Sequence, residues 1–214
     1  MTAVEIEAAA HAAGLQPLPA GASSRFAVYL DLLLKWNAKL NLTAIREPES
    51  ILQRHFLECI FAAQQLPPEI RTLLDFGSGG GFPGIPIAII RPDIQVTLGE
   101  SQGKKAAFLR EAVRTLGLPN ASVHGGRVET LGLDFDAVAL RAVDKMQEAC
   151  REAFSKVKPE GYFLLFTTKN FLETMTAALP GIVWTASLPL PHSDQRILII
   201  GRKSIAVPRG TEKT

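Results

Sequence analysis

The residues most able to do chemistry stand in one stretch, in which an acid precedes closely spaced glycines. Asp75 lies two residues before Gly77, and Gly79 and Gly81 follow at every second position. Glycines permit positive φ and let a ligand approach the backbone closely. The apolar run 71–76 before them predicts a buried parallel strand, and the prolines after them suit the first turn of a helix. The stretch therefore predicts a loop that binds a polar or anionic ligand at a helix N-terminus.

The residues around the glycines distinguish between the nucleotide cofactors. A dinucleotide fingerprint needs its third glycine where this chain has Phe82, so NAD is disfavoured. A phosphate-binding P-loop ends in Gly-Lys-Ser/Thr, but no lysine occurs between Arg71 and Lys104, which disfavours ATP. The remaining pattern, an acid followed by Gly-x-Gly-x-Gly, resembles motif I of the S-adenosylmethionine-dependent methyltransferases. The alternative is a glycine-rich turn without a ligand.

Further candidates follow the later predicted strands. Glu100 directly follows the second strand, where an acid can accept hydrogen bonds from both ribose hydroxyls of an adenosine. Ser101 could add a hydrogen bond, and Val128, beyond the third strand, could contact the adenine ring. A solvated loop carboxylate is the alternative for Glu100. Arg141 ends the fourth strand, where class I methyltransferases place a substrate-facing motif, and a structural ion pair is its alternative role.

Strand and helix patterns alternate from residue 71 onwards, which predicts an α/β fold with a doubly wound, mostly parallel sheet. Strands are expected at 71–76, 94–99, 121–124, 135–140, 162–167, 183–188 and 196–201. The last two are close enough in sequence to form an antiparallel C-terminal hairpin. This order resembles the Rossmann-like fold of class I methyltransferases. We expect residues 69–207 to form the S-adenosylmethionine-binding methyltransferase domain and 208–214 to form a tail.

The first 68 residues predict an N-terminal helical cap that packs on this domain. Helices are expected at 4–13, from about residue 23 to near Asn37, and from Pro48 to about Gln64. The residues 36–46 lack helical periodicity and contain side chains that form local hydrogen bonds, so they predict an ordered loop.

Composition restricts the class of protein. The 214 residues are 47% hydrophobic and 21% charged, which is typical of a globular protein. No apolar run could span a membrane and no leader is evident, so we expect a cytoplasmic protein without membrane association. Cys59 and Cys150 lie far apart without a Cys-x-x-Cys motif or paired histidines, so neither a disulfide framework nor a metal site is expected. The formal charge of +2 is too small to indicate nucleic-acid binding by itself.

The residues after the fourth strand restrict which atom could be methylated. Residues 140–143 read Leu-Arg-Ala-Val, whereas methylation of an exocyclic amine usually uses Asn/Asp-Pro-Pro-Tyr/Phe there. Carbon methylation of a pyrimidine needs an activated cysteine, but both cysteines lie within helical patterns. A ring nitrogen such as guanine N7 exposes a lone pair and needs no general base. Positioning alone could then supply most of the rate.

Three stretches carry a more specific resemblance: Asn41-Leu42-Thr43-Ala44-Ile45-Arg46 followed by Arg54-His55, then Gly77 to Pro86, then Arg91-Pro92 through Glu100-Ser101 and Lys104. Together they resemble the RsmG family, also called glucose-inhibited division protein B, over roughly residues 25 to 202. The resemblance implies methylation of guanine N7 in the 530 loop of bacterial small-subunit rRNA, with S-adenosyl-L-methionine as cofactor and S-adenosyl-L-homocysteine as product. Gly80 stands where many relatives have proline, and Glu100 where many have aspartate.

The resemblance also implies site residues. The family's cofactor contacts fall on Gly77, Phe82, Val128, Glu129 and Arg141. We also expect cofactor contacts from Ser78 and Gly79 of the glycine loop and from Glu100 and Ser101 after the second strand. No catalytic residue beyond positioning is predicted, and the positioning candidates are Arg141 and His55. His55 shares the apolar face of its helix, so its alternative role is that of a hydrogen-bonded core residue.

We predict that small-subunit rRNA, free or in an assembling 30S subunit, binds a discontinuous basic surface on the cap and the carboxyl edge of the sheet. Its members are Lys39, Arg46, Arg54, His55, Lys104, Arg141 and Lys169. Ligands of open α/β sheets bind beyond the carboxyl ends of the strands, where three of these cations are expected. The competing functions are a non-catalytic RNA- or protein-binding module and a class I methyltransferase for a small molecule or protein. We expect a monomer.

Overall fold

One mixed sheet of eight strands lies at the centre of residues 1–142 and 146–204, the part of the chain that the computed structural model describes. The strands are β1 (Thr72–Phe76), β2 (Gln95–Gly99), β3 (Ala121–His124), β4 (Phe135–Arg141), β5 (Val157–Thr168), β6 (Ile182–Trp184), β7 (Leu188–Pro189) and β8 (Arg196–Lys203). Their order is β3-β2-β1-β4-β5-β8-β6, and β7 also pairs with β8. The first five strands pair in parallel, whereas β8 is antiparallel to its neighbours. The predicted doubly wound sheet with an antiparallel ending is confirmed.

Helices cover both faces of this sheet. They are α1 (Ala3–Ala12), α2 (Ala22–Leu40), α3 (Pro48–Ile51), α4 (Glu58–Gln64), α5 (Gly84–Ile90), α6 (Gly103–Thr115), α7 (Met146–Ser155) and α8 (Leu172–Ala177). Short 3₁₀ turns occur at Val128–Thr130 and Lys169–Phe171. Within the described ranges, no helix is long and apolar enough to cross a membrane. The predicted tail, 208–214, lies outside the described residues.

Both faces of the sheet are buried because alternate residues of its strands join two different apolar clusters. In β1, Leu73 belongs to a cluster with Phe56 of the N-terminal helices, whereas Leu74 belongs to a cluster with Cys150 of α7. An apolar strand with a period of two and no polar face is the pattern of a buried parallel strand. The N-terminal helices therefore share a core with the sheet and can position residues at its carboxyl edge.

Helix α2 continues to Leu40, so the prediction that it ends near Asn37 is wrong. Asn37 is buried, and its Oδ1 accepts a hydrogen bond from the amide of Thr43 at 2.9 Å while its Nδ2 donates to the carbonyl of Ile45 at 3.3 Å. The side chain thus fixes the following loop from within the helix instead of ending it. Asn41, with φ of 47°, ends the helix in the left-handed region. The ordered loop predicted at 36–46 is therefore confirmed for 41–46 and wrong for 36–40, which belong to the helix.

The helix predicted from Pro48 to Gln64 contains a π-helical segment, Leu52–Leu57, between α3 and α4. The apolar spacing of the sequence does not indicate this departure. Such segments occur frequently at functional sites, because the wider turn changes which side chains share a face. Here the segment carries Arg54 and His55 and leads directly to Glu58.

The predicted first strand of the C-terminal hairpin, 183–188, is interrupted. Trp184 pairs with Gly201, whereas Leu188 pairs with Leu198, so three residues of one strand lie opposite two of the other. One extra residue on one side makes a β-bulge, which breaks the ladder locally and bends the strand. The antiparallel pairing is therefore confirmed, and the single continuous strand at 183–188 is wrong.

Candidate active site

The loop after β1 has the backbone conformation that its glycines predict. Gly77, Gly79 and Gly81 have φ of 73°, 54° and 92°, a region that other residues rarely adopt. The hydroxyl of Ser78 donates to the carbonyl of Asp75 at 3.0 Å, and the amide of Ser78 donates to the last carbonyl of β2 at 2.9 Å. The loop is therefore fixed to the carboxyl ends of two neighbouring strands.

Asp75 is a buried carboxylate of which only one oxygen has a partner. Its Oδ2 accepts a hydrogen bond from the amide of Gly84 at 3.0 Å, but its Oδ1 has no partner among the described residues. Burial raises the pKa of Asp75 to about 7, although the Gly84 hydrogen bond opposes this change. A buried polar atom without a partner costs free energy. The site therefore fits a ligand that brings a cationic or N–H group to this loop.

Glu100 joins the same loop from the end of β2. It is 5% exposed, its Oε2 accepts from the amide of Gly79 at 3.0 Å, and its Oε1 accepts from the amide of Gln102 at 2.7 Å. The alternative of a solvated loop carboxylate is wrong. Val128 lies nearby, because a Cβ on Gly99 would stand 2.6 Å from its Cγ2. Only glycine fits at the end of β2, where the strand and the turn of Val128 approach each other.

The N-terminal helices hold the glycine loop through aromatic side chains. Phe82 stacks on the imidazole of His55, with ring centroids 4.6 Å apart and planes 24° apart. The buried Tyr29 of α2 donates a hydrogen bond to the carbonyl of Gly80 and stacks on Phe56 with centroids 5.3 Å apart. Because these rings contact the loop directly, the cap takes part in building the site.

Arg141 ends β4 and connects the sheet to the cap. Its Nη1 donates to Sγ of Cys59 at 2.9 Å, and its Nη2 donates to Oε2 of Glu58 at 2.7 Å. The same Nη2 also contacts Nδ1 of His55 at 3.2 Å and the carbonyl of Arg54. Nη2 carries two hydrogens and has three acceptors, so one hydrogen is shared. The ion pair that was the alternative role of Arg141 is therefore present.

Glu58 is a buried carboxylate between two arginines. Its side chain is 1% exposed, and its Oε1 accepts a hydrogen bond from Nε of Arg196 at 2.6 Å while Oε2 binds Arg141. Removing one member of a buried pair leaves an uncompensated charge. The three side chains therefore depend on one another, and together they carry one net positive charge.

His55 is neutral, and both of its ring nitrogens have polar partners. Nδ1 lies 3.2 Å from Nη2 of Arg141. Nε2 lies 2.7 Å from Oγ1 of Thr43. Burial, together with the positive charges of Arg141 and Arg54, lowers the pKa of His55 to about 3. With both nitrogens engaged, His55 is a hydrogen-bonded positioning residue and does not act as a general base.

Neither cysteine has the properties of a nucleophile. Burial raises the pKa of Cys59 to about 12 and that of Cys150 to about 11, so both thiols are protonated at neutral pH. Across residues 1–142 and 146–204, no group of three or more histidines, cysteines or acids could hold a metal ion.

A cavity of about 780 Å³ opens beside the Arg141 network at the carboxyl edge of the sheet. Four arginines and two glutamates line it, which leaves an excess of positive charge: Arg54, Arg141, Arg151, Arg196, Glu58 and Glu148. Apolar walls come from aromatic and aliphatic side chains, including Phe166, Phe171, Met146, Met175 and Leu190. The volume suits a ligand of nucleotide size, and the charge suits an anion.

The family of the chain is identified by its sequence. Residues 22–179 match the GidB family model, described as rRNA small subunit methyltransferase G. The chain belongs to this family. It is 41% identical over 159 residues to Ribosomal RNA small subunit methyltransferase G of Clostridium perfringens, and the alignment covers 71% of this chain and 66% of that protein, just under two thirds. The protein of the same name from Xylella fastidiosa is 41% identical over 180 residues, which cover 82% of this chain and 84% of that protein.

A solved structure confirms the fold of this member of the methyltransferase G family. A SAM-dependent methyltransferase from Aquifex aeolicus superposes with a TM-score of 0.58, covering 72% of this chain and 93% of that chain at 17% identity. At this identity the likeness concerns the fold alone. The predicted class I, Rossmann-like methyltransferase fold and the RsmG-family resemblance are both confirmed.

The structure brings the predicted residues of this family member together in two groups. The first surrounds the glycine loop and consists of Gly77, Ser78, Gly79, Phe82, Glu100 and Val128. The second lines the cavity and consists of Arg54, His55 and Arg141. The other predicted residues are exposed and lie outside the lining of the cavity: Lys39, Arg46, Ser101, Lys104 and Lys169. The side chain of Glu129, like residue 143, lies outside what the structure describes. Hydrogen bonds of Arg141 run to the cap, so its predicted cofactor contact stays a prediction.

Three residues of the site were missed from sequence. Glu58 is an acid within the apolar run of its helix, a signal that it needs a buried cationic partner. Arg196 begins β8, which is antiparallel and so starts at the carboxyl edge of the parallel strands. Tyr29 lies on the apolar face of α2, and a tyrosine hydroxyl that is buried requires a partner, here the carbonyl of Gly80.

Proposed function

We propose that this chain transfers a methyl group from S-adenosyl-L-methionine to N7 of a guanine in the 530 loop of small-subunit rRNA. The observation that carries the proposal is the positively charged cavity of nucleotide size beside the glycine loop, joined to it by the stack of His55 on Phe82. Membership of the methyltransferase G family supports the same substrate. The proposal includes S-adenosyl-L-homocysteine as the product and rRNA, free or in an assembling 30S subunit, as the partner.

The residues of the glycine loop fit S-adenosylmethionine, which when bound supplies an electrophilic methyl group on a sulfonium. The unpartnered Oδ1 of Asp75 suits the cationic methionine end. Glu100 would accept the ribose hydroxyls, and its two backbone hydrogen bonds already orient it. Val128 offers an apolar surface for the adenine. The positive φ of Gly77 and Gly79 leaves the backbone open to the ligand.

Positioning is the chemical task that remains for the side chains of the cavity. Guanine N7 carries no proton and exposes a lone pair, so no base has to remove a proton. His55 is neutral with both nitrogens engaged, in agreement with this requirement. Glu58 fixes Nε of Arg196 and Nη2 of Arg141, so both guanidinium groups are oriented before a base enters. Oriented donors of this kind can hold a purine in line for transfer without paying for reorganisation during the reaction.

Replacing Glu100 with alanine tests the cofactor site. The variant loses the acceptor for the ribose hydroxyls, and we expect about 1 to 3 kcal/mol weaker binding of S-adenosylmethionine, roughly 5- to 150-fold. Glu100→Gln keeps one acceptor without the charge and should fall between the two. Calorimetric titration measures the affinities, with Asp31→Asn as the control because Asp31 is an exposed acid on α2. An affinity of Glu100→Ala equal to that of the control would exclude Glu100 from the cofactor site.

Replacing Lys39 and Arg46 with glutamine tests the predicted RNA surface of the cap. Both are exposed and flank the loop that Asn37 holds, and the carbonyl of Leu42 in that loop lies close to Gly80. If both contact phosphates, the slope of log affinity for RNA against log salt concentration should become shallower by up to about 1.4. Cofactor affinity should stay unchanged.

A charge-matched control is the double variant Arg25→Gln/Arg114→Gln. Both arginines are exposed, Arg25 at the start of α2 and Arg114 at the end of α6, away from the predicted surface. The control should keep the parent salt slope. Equal slopes for the two double variants would remove Lys39 and Arg46 from the RNA surface.

Analysis of rRNA from cells tests the proposed function itself. Mass analysis or primer extension on rRNA from a strain that lacks this chain should show an unmodified guanine in the 530 loop. Restoring the chain should restore an alkali-labile N7-methylguanine at that position. If the guanine is modified to the same extent with and without the chain, the alternative of a class I methyltransferase for a small molecule or protein takes its place.

A further inference from the structure

Phe171 exposes an aromatic ring at the edge of the cavity. It closes the 3₁₀ turn Lys169–Phe171 directly after β5, lines the cavity, and is 60% exposed. The other exposed large apolar side chains of the described residues, which are Val4, Val28, Leu133 and Val183, do not line this cavity. Exposing a large ring to water is unfavourable, so a ring kept at the mouth of a charged cavity indicates a ligand that covers it.

The surroundings of Phe171 indicate what kind of ligand this is. Arg54, Arg151 and Arg196 belong to the same cavity lining, and the exposed Lys169 stands two residues before the ring. An aromatic ring among cations matches single-stranded nucleic acid, whose bases stack on rings while its phosphates pair with the cations. The position beyond the carboxyl end of a parallel strand is also where open α/β sheets bind ligands.

The distance from Phe171 to the glycine loop decides which base it can meet. The glycine loop follows β1 and Phe171 follows β5, and β4 lies between these strands in the sheet. Two strand spacings amount to about 10 Å. Bases stacked in a helix are only about 3.4 Å apart along one strand. Two bases that are neighbours along the strand can therefore reach both places only if they are unstacked from each other, and a ring at the far place can replace the lost stacking.

Resting on the proposed function, we propose that Phe171 stacks on the base of a nucleotide flanking the methylated guanine and so holds the strand open at the cavity. The target guanine itself must approach the glycine loop, so the ring two strands away contacts a different base. Phe171 is thus a positioning residue for the RNA, without a part in the methyl transfer.

Kinetics with unmethylated 30S subunits separate this role from others. Phe171→Ala should raise KM for the subunits roughly 5- to 100-fold, the range of base–aromatic stacking, and leave kcat within about twofold. Phe171→Trp should keep the parent KM because it retains a stacking surface. Val183→Ala is the matched control, since Val183 is 66% exposed but lies on β6 away from the cavity. A KM of Phe171→Ala equal to that of the parent protein would overturn the proposal. Because this variant would still methylate rRNA, that outcome would leave the proposed function intact.

An abasic scan identifies the stacked nucleotide. Binding of short single-stranded RNAs with one central guanine is measured by fluorescence anisotropy, with the base removed at each flanking position in turn. At one position, removal of the base should weaken binding to the parent protein and have no further effect on Phe171→Ala. If the penalty of Phe171→Ala is the same for every abasic RNA, the ring contacts no flanking base and the proposal fails. A penalty seen with 30S subunits alone would assign the ring to a protein contact and would equally overturn it.

Discussion

Arg141→Met is expected to lower kcat/KM for rRNA methylation by about 100- to 1000-fold, the loss typical of removing one oriented donor from an active site. Methionine retains the apolar stem but cannot donate to Glu58, His55 or Cys59. The same change leaves Glu58 buried with only Arg196, which should reduce the free energy of unfolding by about 3 to 5 kcal/mol. Steady-state kinetics and urea unfolding measure the two effects separately.

A second variant separates positioning by Arg141 from stability. In Arg141→Met/Glu58→Met the buried carboxylate, which has lost one of its two cationic partners in the single variant, is also gone, so most of the lost stability should return. Activity should stay low, because the oriented guanidinium is still absent. Arg141→Lys supplies a charge without the planar fork and should recover little activity. A double variant with parent activity would make Arg141 a purely structural residue and would contradict its role in the site.

Asp75→Asn is expected to weaken S-adenosylmethionine binding about 10- to 150-fold and to change how stability depends on pH. The raised pKa of Asp75 means that the native state holds a proton which the unfolded state has already lost between about pH 4 and pH 7. Stability of the parent protein should therefore fall as pH rises through this range, by at most about 4 kcal/mol, and then level off. Asparagine has no such proton, so this part of the pH dependence should disappear.

Urea unfolding at several pH values without cofactor measures the effect on stability. The decisive quantity is the difference in free energy of unfolding between about pH 4.5 and pH 8, compared between parent and variant. Asp136→Asn is the control, because the pKa of Asp136 is lowered in the native state and its contribution to stability therefore grows, not shrinks, as pH rises. Burial alone would raise the pKa of Asp136, but Lys158 and the backbone amides of Arg71 and Thr72 lower it to about 2. Its contribution is lost only as pH falls below about 4. If the pH difference is the same in Asp75→Asn as in the parent protein, burial does not raise the pKa of Asp75 in the native state.

The glycine loop was predictable because its chemistry is local. Positive φ at Gly77 and Gly79 and the position of Glu100 after a strand follow from residue types close together in sequence. The sheet was also predictable, since buried parallel strands alternate with helices in a recognisable pattern. Its hairpin was predicted as paired, but the bulge before Leu188 depends on a one-residue difference in register that no residue type indicates.

The cavity was less predictable because its contacts join distant parts of the chain. Glu58 binds Arg141, 83 residues away, and Arg196, 138 residues away. A lone acid in an apolar helix indicates that a cation is needed, but the sequence contains many arginines and does not select these two. The π-helical turn that precedes Glu58 is likewise not indicated by the apolar spacing of the sequence, although Leu52, Phe56 and Leu57 of that turn are buried in the apolar core.

An assay with the purified protein tests whether this chain methylates N7 of one guanine in small-subunit rRNA. The purified protein is incubated with methyl-labelled S-adenosylmethionine and 30S subunits or 16S rRNA from cells that lack the activity. The rRNA is then cleaved at N7-methylguanine by mild reduction and aniline, and the ends are mapped. We expect label in the rRNA and a single new cleavage in the 530 loop, both lost with Glu100→Ala at low cofactor concentration. Label without cleavage, or label only in ribosomal protein, would contradict methylation of guanine N7 in the rRNA.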